Sequence, residues 1–140
     1  MGYAKAAFVA FALAGGAVYV ASVVPAMAQE QRAPFETISP EVLAQKLEHK
    51  DFLLINVHVP YEGEIAQTDA FIPFDQIAAN LDKLPSDKSA SIVLYCRSGR
   101  MSEIAATTLA ALGYSHVAHL EGGFSAWAQS GRVLLQHASP

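Results

Sequence analysis

The sequence predicts one α/β domain built on a parallel sheet. Three observations predict it. Short strand-like runs alternate with segments of helical periodicity, in the order strand, helix, four times over. The run FLLINV at 52–57 is nearly continuously apolar instead of alternating, as suits a central strand covered on both faces. The length, 140 residues, suffices for one domain with a sizeable core and not for two.

The elements follow in chain order. Residues 35–38 form a short strand. Ser39 is the N-cap of the next helix, with Pro40 in the first turn and Glu41 near the positive end of the dipole. Val42, Leu43 and Leu47 are its apolar face. The strand at 52–57 runs into a polar loop, 60–71, that holds Pro60, Gly63 and the acids Glu62, Glu64 and Asp69. Asp75 caps a further helix, whose stripe is Ile77, Leu81 and Leu84 at i, i+4, i+7, and Pro85 ends it. A turn at 86–89 leads to a strand at 91–95. The helix at 101–112 carries Ile104, Ala105, Thr108, Leu109 and Leu112 on one side, and Gly113 is its C-cap. Residues 116–120 are a strand, and Glu121-Gly122-Gly123 turns into a last helix with Phe124 and Trp127.

The N-terminus has the parts of a secretory signal peptide. Lys5 is its only charge, residues 6–24 are an almost unbroken apolar run, and Ala26-Met27-Ala28 precedes polar residues. The expected cut is after Ala28. The alternative is an uncleaved anchor, because the run approaches the ~20 apolar residues that span a bilayer. Either way the expected location is outside the cytoplasm, in a periplasm, free or anchored to the inner membrane. Membrane association is expected only if the segment stays attached. Residues 29–37 then read as a linker and first strand, 38–132 as the domain and 133–140 as a C-terminal tail.

Net charge is -4, and with no basic stripe to neutralise phosphates, nucleic acid is not expected as a partner. The single cysteine excludes an internal disulfide. That residue, Cys96, falls at the carboxyl end of a predicted strand just before a helix, the edge of an α/β sheet where ligands bind. The loop Arg97-Ser98-Gly99-Arg100 is short enough for its backbone N–H groups to converge on the sulfur, and the following helix adds its dipole. Such a cradle stabilises a negative sulfur, and the thiolate is the nucleophile. Gly99 allows a positive φ. Arg97 and Arg100 offer paired donors to an anionic substrate. Against this stands a plain alternative: free cysteines are often simply buried. A phosphatase of the C-x5-R type needs an arginine six positions after the cysteine, where this chain has Ser102.

Four stretches together resemble the rhodanese family of sulfurtransferases: LLINVHVPYEG (53–63), FIPFDQI (71–77), VLYCRSGRMSEIAATTLAALGY (93–114) and VAHLEGGFSAW (117–127). The resemblance implies a rhodanese-like domain, with a central parallel sheet of about five strands and helices on both faces. It implies that Cys96 takes the outer sulfur of thiosulfate or a related donor as a persulfide and passes it to cyanide or a thiol. Residues 97–101, Arg97, Ser98, Gly99, Arg100 and Met101, would bind the donor and hold the persulfide. No metal or cofactor is implied; the partners are a small sulfur donor and acceptor, with no particular protein partner indicated. The chain departs from the family in having Asn56-Val57-His58 for the usual Asp-Val-Arg, Glu64 for a usual His, and Met101 where a second basic residue often stands. Loss of the Asp and Arg together implies that a charge pair is replaced by a neutral one. Glu64 is expected to add negative charge near the loop mouth and weaken thiosulfate binding. That leaves a second possibility: a module that binds a sulfane sulfur or an anion for a partner, with little turnover. Of the remaining residues, Glu62, Glu64 and Asp69 read as a solvated loop face that can also shape the entrance to Cys96. His58, His116 and His119 do not form a metal set, since 116 and 119 point to opposite faces of a strand.

Overall fold

A computed structural model of the protein describes residues 33–137, together with Gly15. The predicted signal peptide therefore lies outside the described residues, apart from Gly15. Five strands, β1 (Glu36–Ile38), β2 (Leu53–Asn56), β3 (Ala70–Phe71), β4 (Ile92–Tyr95) and β5 (Val117–Leu120), form one parallel sheet in the order β1-β5-β4-β2-β3. The helices are α1 (Pro40–Glu48), α2 (Arg100–Ala111) and α3 (Gly123–Gln129), with a 3-10 segment at Ala78–Lys83.

Strand alternation divides the core in two. Ile92, Leu94 and Cys96 pack with Ile55, Val57, Val117 and with Ala105, Ala106 and Leu109 of α2. Val93 and Tyr95 pack on the other face with Leu54, Leu120, Leu43 of α1 and Phe124 and Trp127 of α3. Each fully buried Leu or Ile contributes roughly 1.5–3 kcal/mol. The central strands β4 and β5 are buried along their whole lengths. The carboxyl end of β4 is thus fixed from both sides, and Cys96 continues the α2-facing series.

The α1 cap forms as expected: Ser39 Oγ accepts from the Val42 N–H at 3.3 Å, with Pro40 at the first helical position. Leu43 is buried, but Val42 is exposed, because it sits a ~100° turn away from Leu43 at the edge of the stripe. The α2 stripe is likewise rotated from expectation. Ser102, Ala105, Ala106 and Leu109 face the sheet, and Ile104 is exposed. Two alanines on that stripe allow close approach to the sheet. Gly113 ends α2 at φ +97, with its N–H bonded to the Ala110 carbonyl and the Tyr114 N–H to the Leu109 carbonyl, a Schellman closure.

The expected helix after Asp75 is a 3-10 segment without a side-chain cap. Ile77 and Leu84 are buried, but Leu81 is 46% exposed. Asn80 has non-helical angles, and its side chain donates to the Gln76 carbonyl at 2.8 Å, a local bond that competes with regular helix. Residues 133–137, expected as part of a tail, run back along the 61–64 loop. Glu64 and Leu135 exchange both backbone hydrogen bonds at 2.8 Å, and Trp127 Nε1 donates to the Val133 carbonyl.

Candidate active site

Cys96 is the first residue after β4 and is 1% exposed. The Gly99 N–H donates to its sulfur at 3.0 Å. Gly99 reaches that position at φ +106, where it also serves as the N-cap of α2. The loop is held from behind by α3. The Phe124 N–H donates to the Cys96 carbonyl at 2.8 Å and the Ser125 N–H to the Arg97 carbonyl at 3.0 Å. These are first-turn amides that the helix itself leaves unpaired. A trans peptide sets each carbonyl opposite the next N–H, so the amides of Arg97 and Ser98 turn away from α3.

That contact explains the second glycine of the pair. Gly123 has φ +58, and a Cβ there would run into the Cys96 carbonyl oxygen and lie 2.5 Å from the Arg97 carbonyl carbon and oxygen.

Arg97, Ser98 and Arg100 are exposed in the loop that follows Cys96, and Met101 is half-buried. The cationic side chains are therefore available to an incoming anion. Glu62 meets one of them: its Oε2 is 3.5 Å from Arg97 Nη1 and 2.5 Å from His58 Nε2. The carboxylate at the mouth is thus Glu62. Glu64, expected there, faces the C-terminal segment instead, pairing with His137 at 2.8 Å and accepting from the Tyr61 hydroxyl at 3.3 Å. Its backbone bridge to Leu135 fixes that direction. Asp69 is likewise turned away, bonded to Lys50 Nζ at 2.6 Å and the Leu54 N–H at 2.7 Å.

Asn56 is buried and does two jobs at once. Its Nδ2 donates to the Gly63 carbonyl and its Oδ1 accepts from the His58 N–H, both at 3.0 Å. A neutral amide here ties the Glu62-Gly63 loop to the end of β2. His58 is buried against the Phe124 ring at 5.3 Å, edge to face, with its outer nitrogen on Glu62. Below, Tyr95 accepts from the Ile65 N–H at 3.0 Å and bonds Thr68 at 2.8 Å. Burial is the main cause that pushes its hydroxyl up to about 12.

Ser102 is completely buried beside the sulfur, 3.6 Å from Cys96 Sγ, and bonds the Gly99 carbonyl at 3.0 Å. His119 lies 3.0 Å beyond it. Sequence reasoning missed this pairing, since Ser102 entered it only as a missing arginine. His116 is exposed and bonds Ser115; among the described residues no three potential ligands converge on a metal site. A cavity of about 420 Å³ lies at the opposite, amino edge of the strands, between Phe35, Lys46, Asp51 and His116, far from the cysteine loop.

Residues 39–130 match the family model of the rhodanese-like domain. The chain belongs to the rhodanese family. It is 38% identical over 103 residues to a protein named sulfurtransferase from Allochromatium vinosum, covering 70% of this chain and 92% of that one. It is 38% identical over 104 residues to a probable adenylyltransferase/sulfurtransferase of Mycobacterium tuberculosis, covering 71% of this chain but only 26% of that longer protein. The crystal structure of a rhodanese-like domain protein from Staphylococcus aureus superposes with a TM-score of 0.63 at 28% identity, covering 74% of this chain and all of that one. Family membership and the sulfurtransferase relatives support sulfur transfer, between small donors and acceptors, as the general chemistry of this rhodanese.

Proposed function

We propose that this rhodanese moves a sulfane sulfur from thiosulfate, or a related anionic donor, to a thiophilic acceptor through a persulfide on Cys96. The observation that carries the proposal is the Gly99 N–H on Cys96 Sγ, at the end of β4 and the start of the twelve-residue helix α2. Amide and helix dipole both favour a negative sulfur there. The Cys96 thiolate attacks the outer sulfur of thiosulfate. A new S–S bond forms, the bond to sulfite breaks, and the electron pair leaves with sulfite. Cyanide or a thiolate then attacks the outer sulfur of the persulfide and returns the Cys96 thiolate, which is two-step covalent catalysis. Arg97, Ser98, Gly99, Arg100 and Met101 border the donor; the two exposed guanidinium groups draw it in. Thiocyanate formation from thiosulfate and cyanide tests this. The expected result is turnover by residues 29–140 that C96A abolishes; turnover that survives C96A contradicts it.

A second reading, a sulfur- or anion-binding module with negligible turnover, draws on Glu62, which occupies Arg97 at the mouth. It predicts sulfur loading without thiocyanate formation. The N-terminal pattern supports a further proposal, export to a periplasm with cleavage after Ala28 or retention as an anchor. The mass of the mature protein separates those two.

A further inference from the structure

His119 is a buried, titratable side chain outside the chemistry above. Its Nδ1 is 3.0 Å from Ser102 Oγ and its Nε2 is 3.1 Å from Thr37 Oγ1. The register of the sheet explains the second contact, since Thr37 of β1 pairs with His119 of β5. Phe35 stacks edge to face on the imidazole at 5.4 Å and limits its rotation. A continuous chain of polar groups therefore runs from the sheet edge to the sulfur: Thr37, His119, Ser102, Cys96.

A serine hydroxyl has one hydrogen to give. If His119 carries its proton on Nε2, Nδ1 must accept that hydrogen, and nothing is left for the sulfur. If the proton is on Nδ1, His119 donates to Ser102 Oγ, and the Ser102 hydrogen is free for the Gly99 carbonyl or for Cys96. The Gly99 carbonyl also accepts from the Glu103 N–H at 3.0 Å. Ser102 can thus turn its hydrogen to the sulfur without stranding a buried acceptor. The Thr37 hydroxyl, free to rotate at the surface, then donates to Nε2.

We propose that His119 is a positioning residue for Cys96: it donates from Nδ1 to Ser102, which delivers its single hydrogen to the anionic sulfur. The anionic sulfur is the Cys96 thiolate; resting on the function proposed above, it is the nucleophile that attacks the donor and is returned when the acceptor takes the sulfur. Burial pushes the His119 pKa down, against weaker opposing pulls from Glu103 and Glu121, so the neutral ring and its choice of tautomer govern the contact.

Side-chain isosteres separate this role from packing. An Asn amide at 119 reaches the place of Nδ1 and can donate to Ser102, whereas the longer Gln places its amide nearer Nε2 and Thr37. Two rates are read for wild type, H119A, H119N, H119Q, S102A and S102A/H119Q: alkylation of Cys96 by iodoacetamide at fixed pH, and single-turnover sulfur loading from thiosulfate by quenched intact mass. Loss of one hydrogen bond to a charged group slows both by ~10-fold or more in H119A, H119Q and S102A. H119N recovers most of the rate lost in H119A. In the S102A background H119Q has no further effect, because the contact it removes is already gone. Equal rates for H119N and H119Q, or an undiminished H119Q effect without Ser102, overturn the proposal. If wild type alkylates with this pattern but never gains sulfur, the coupling stands and the sulfur-transfer reading falls. If it loads sulfur without the pattern, the reverse holds.

Discussion

The tightest link between the fold and the cysteine loop is Gly123, and G123A breaks it. An added methyl would meet the backbone of Cys96 and Arg97, not a flexible side chain, so no rotamer change relieves it. Alanine at φ +58 costs about 1–2 kcal/mol in conformational energy. Pushing α3 off the loop also loses the bonds from the Phe124 and Ser125 amides to the Cys96 and Arg97 carbonyls, worth about 1 kcal/mol each. The total is about 3–4 kcal/mol, which for a domain near 100 residues lowers Tm by roughly 15–20 °C. Thermal unfolding followed by circular dichroism gives the first reading. Cys96 alkylation well below the variant's Tm gives the second, and it is expected to change because the loop loses its backing. A Tm within about 3 °C of wild type together with unchanged alkylation, a threshold below 1 kcal/mol, would refute the claim that α3 holds the loop.

Further predictions concern the surrounding groups. E62Q removes the carboxylate that competes for Arg97; for an exposed pair this is worth about 1 kcal/mol at most, so kcat/KM for thiosulfate rises up to ~5-fold, and the gain shrinks at high salt. An unchanged or lower kcat/KM contradicts that role. N56D replaces the donor to the Gly63 carbonyl with a carboxylate and costs about 2–3 kcal/mol at neutral pH. The folded pKa of the introduced carboxyl is thereby raised, so the loss is recovered as pH falls and that carboxyl protonates; denaturant melts at several pH values read it. Two native groups add a pH dependence to stability. The His119 pKa is lowered in the fold, so its contribution is complete above the ordinary value of 6.5 and lost as pH falls through the folded one. Tyr95 is raised to about 12, so its contribution is complete below 10.0 and lost as pH rises from there. H119N should flatten the acid side of the stability profile and Y95F the alkaline side.

The sequence was most legible where one chemical signal dominates. The apolar β4 run, the cysteine after it and the Gly113 cap place strand, loop and helix within a residue or two. Local competition hid other elements. The two-residue strand β3 leaves no periodicity to detect in a polar stretch, and the 77–84 stripe fits an α-helix until Asn80 bonds backward to Gln76. Long-range register hid the rest. Thr37 and His119 are 82 positions apart, and only the β1–β5 pairing brings them together. The choice between Glu62 and Glu64 at the mouth depends on residue 135 pinning the backbone of residue 64, which no local pattern reveals.

The most direct measurement of the central claim is intact mass spectrometry of residues 29–140 before and after thiosulfate, with C96A alongside. The wild type alone is expected to gain one sulfur atom, and cyanide to remove it. A wild type that gains no sulfur from thiosulfate or any other sulfane donor, or a C96A variant that gains it equally, would contradict the assignment of Cys96 as the sulfur carrier.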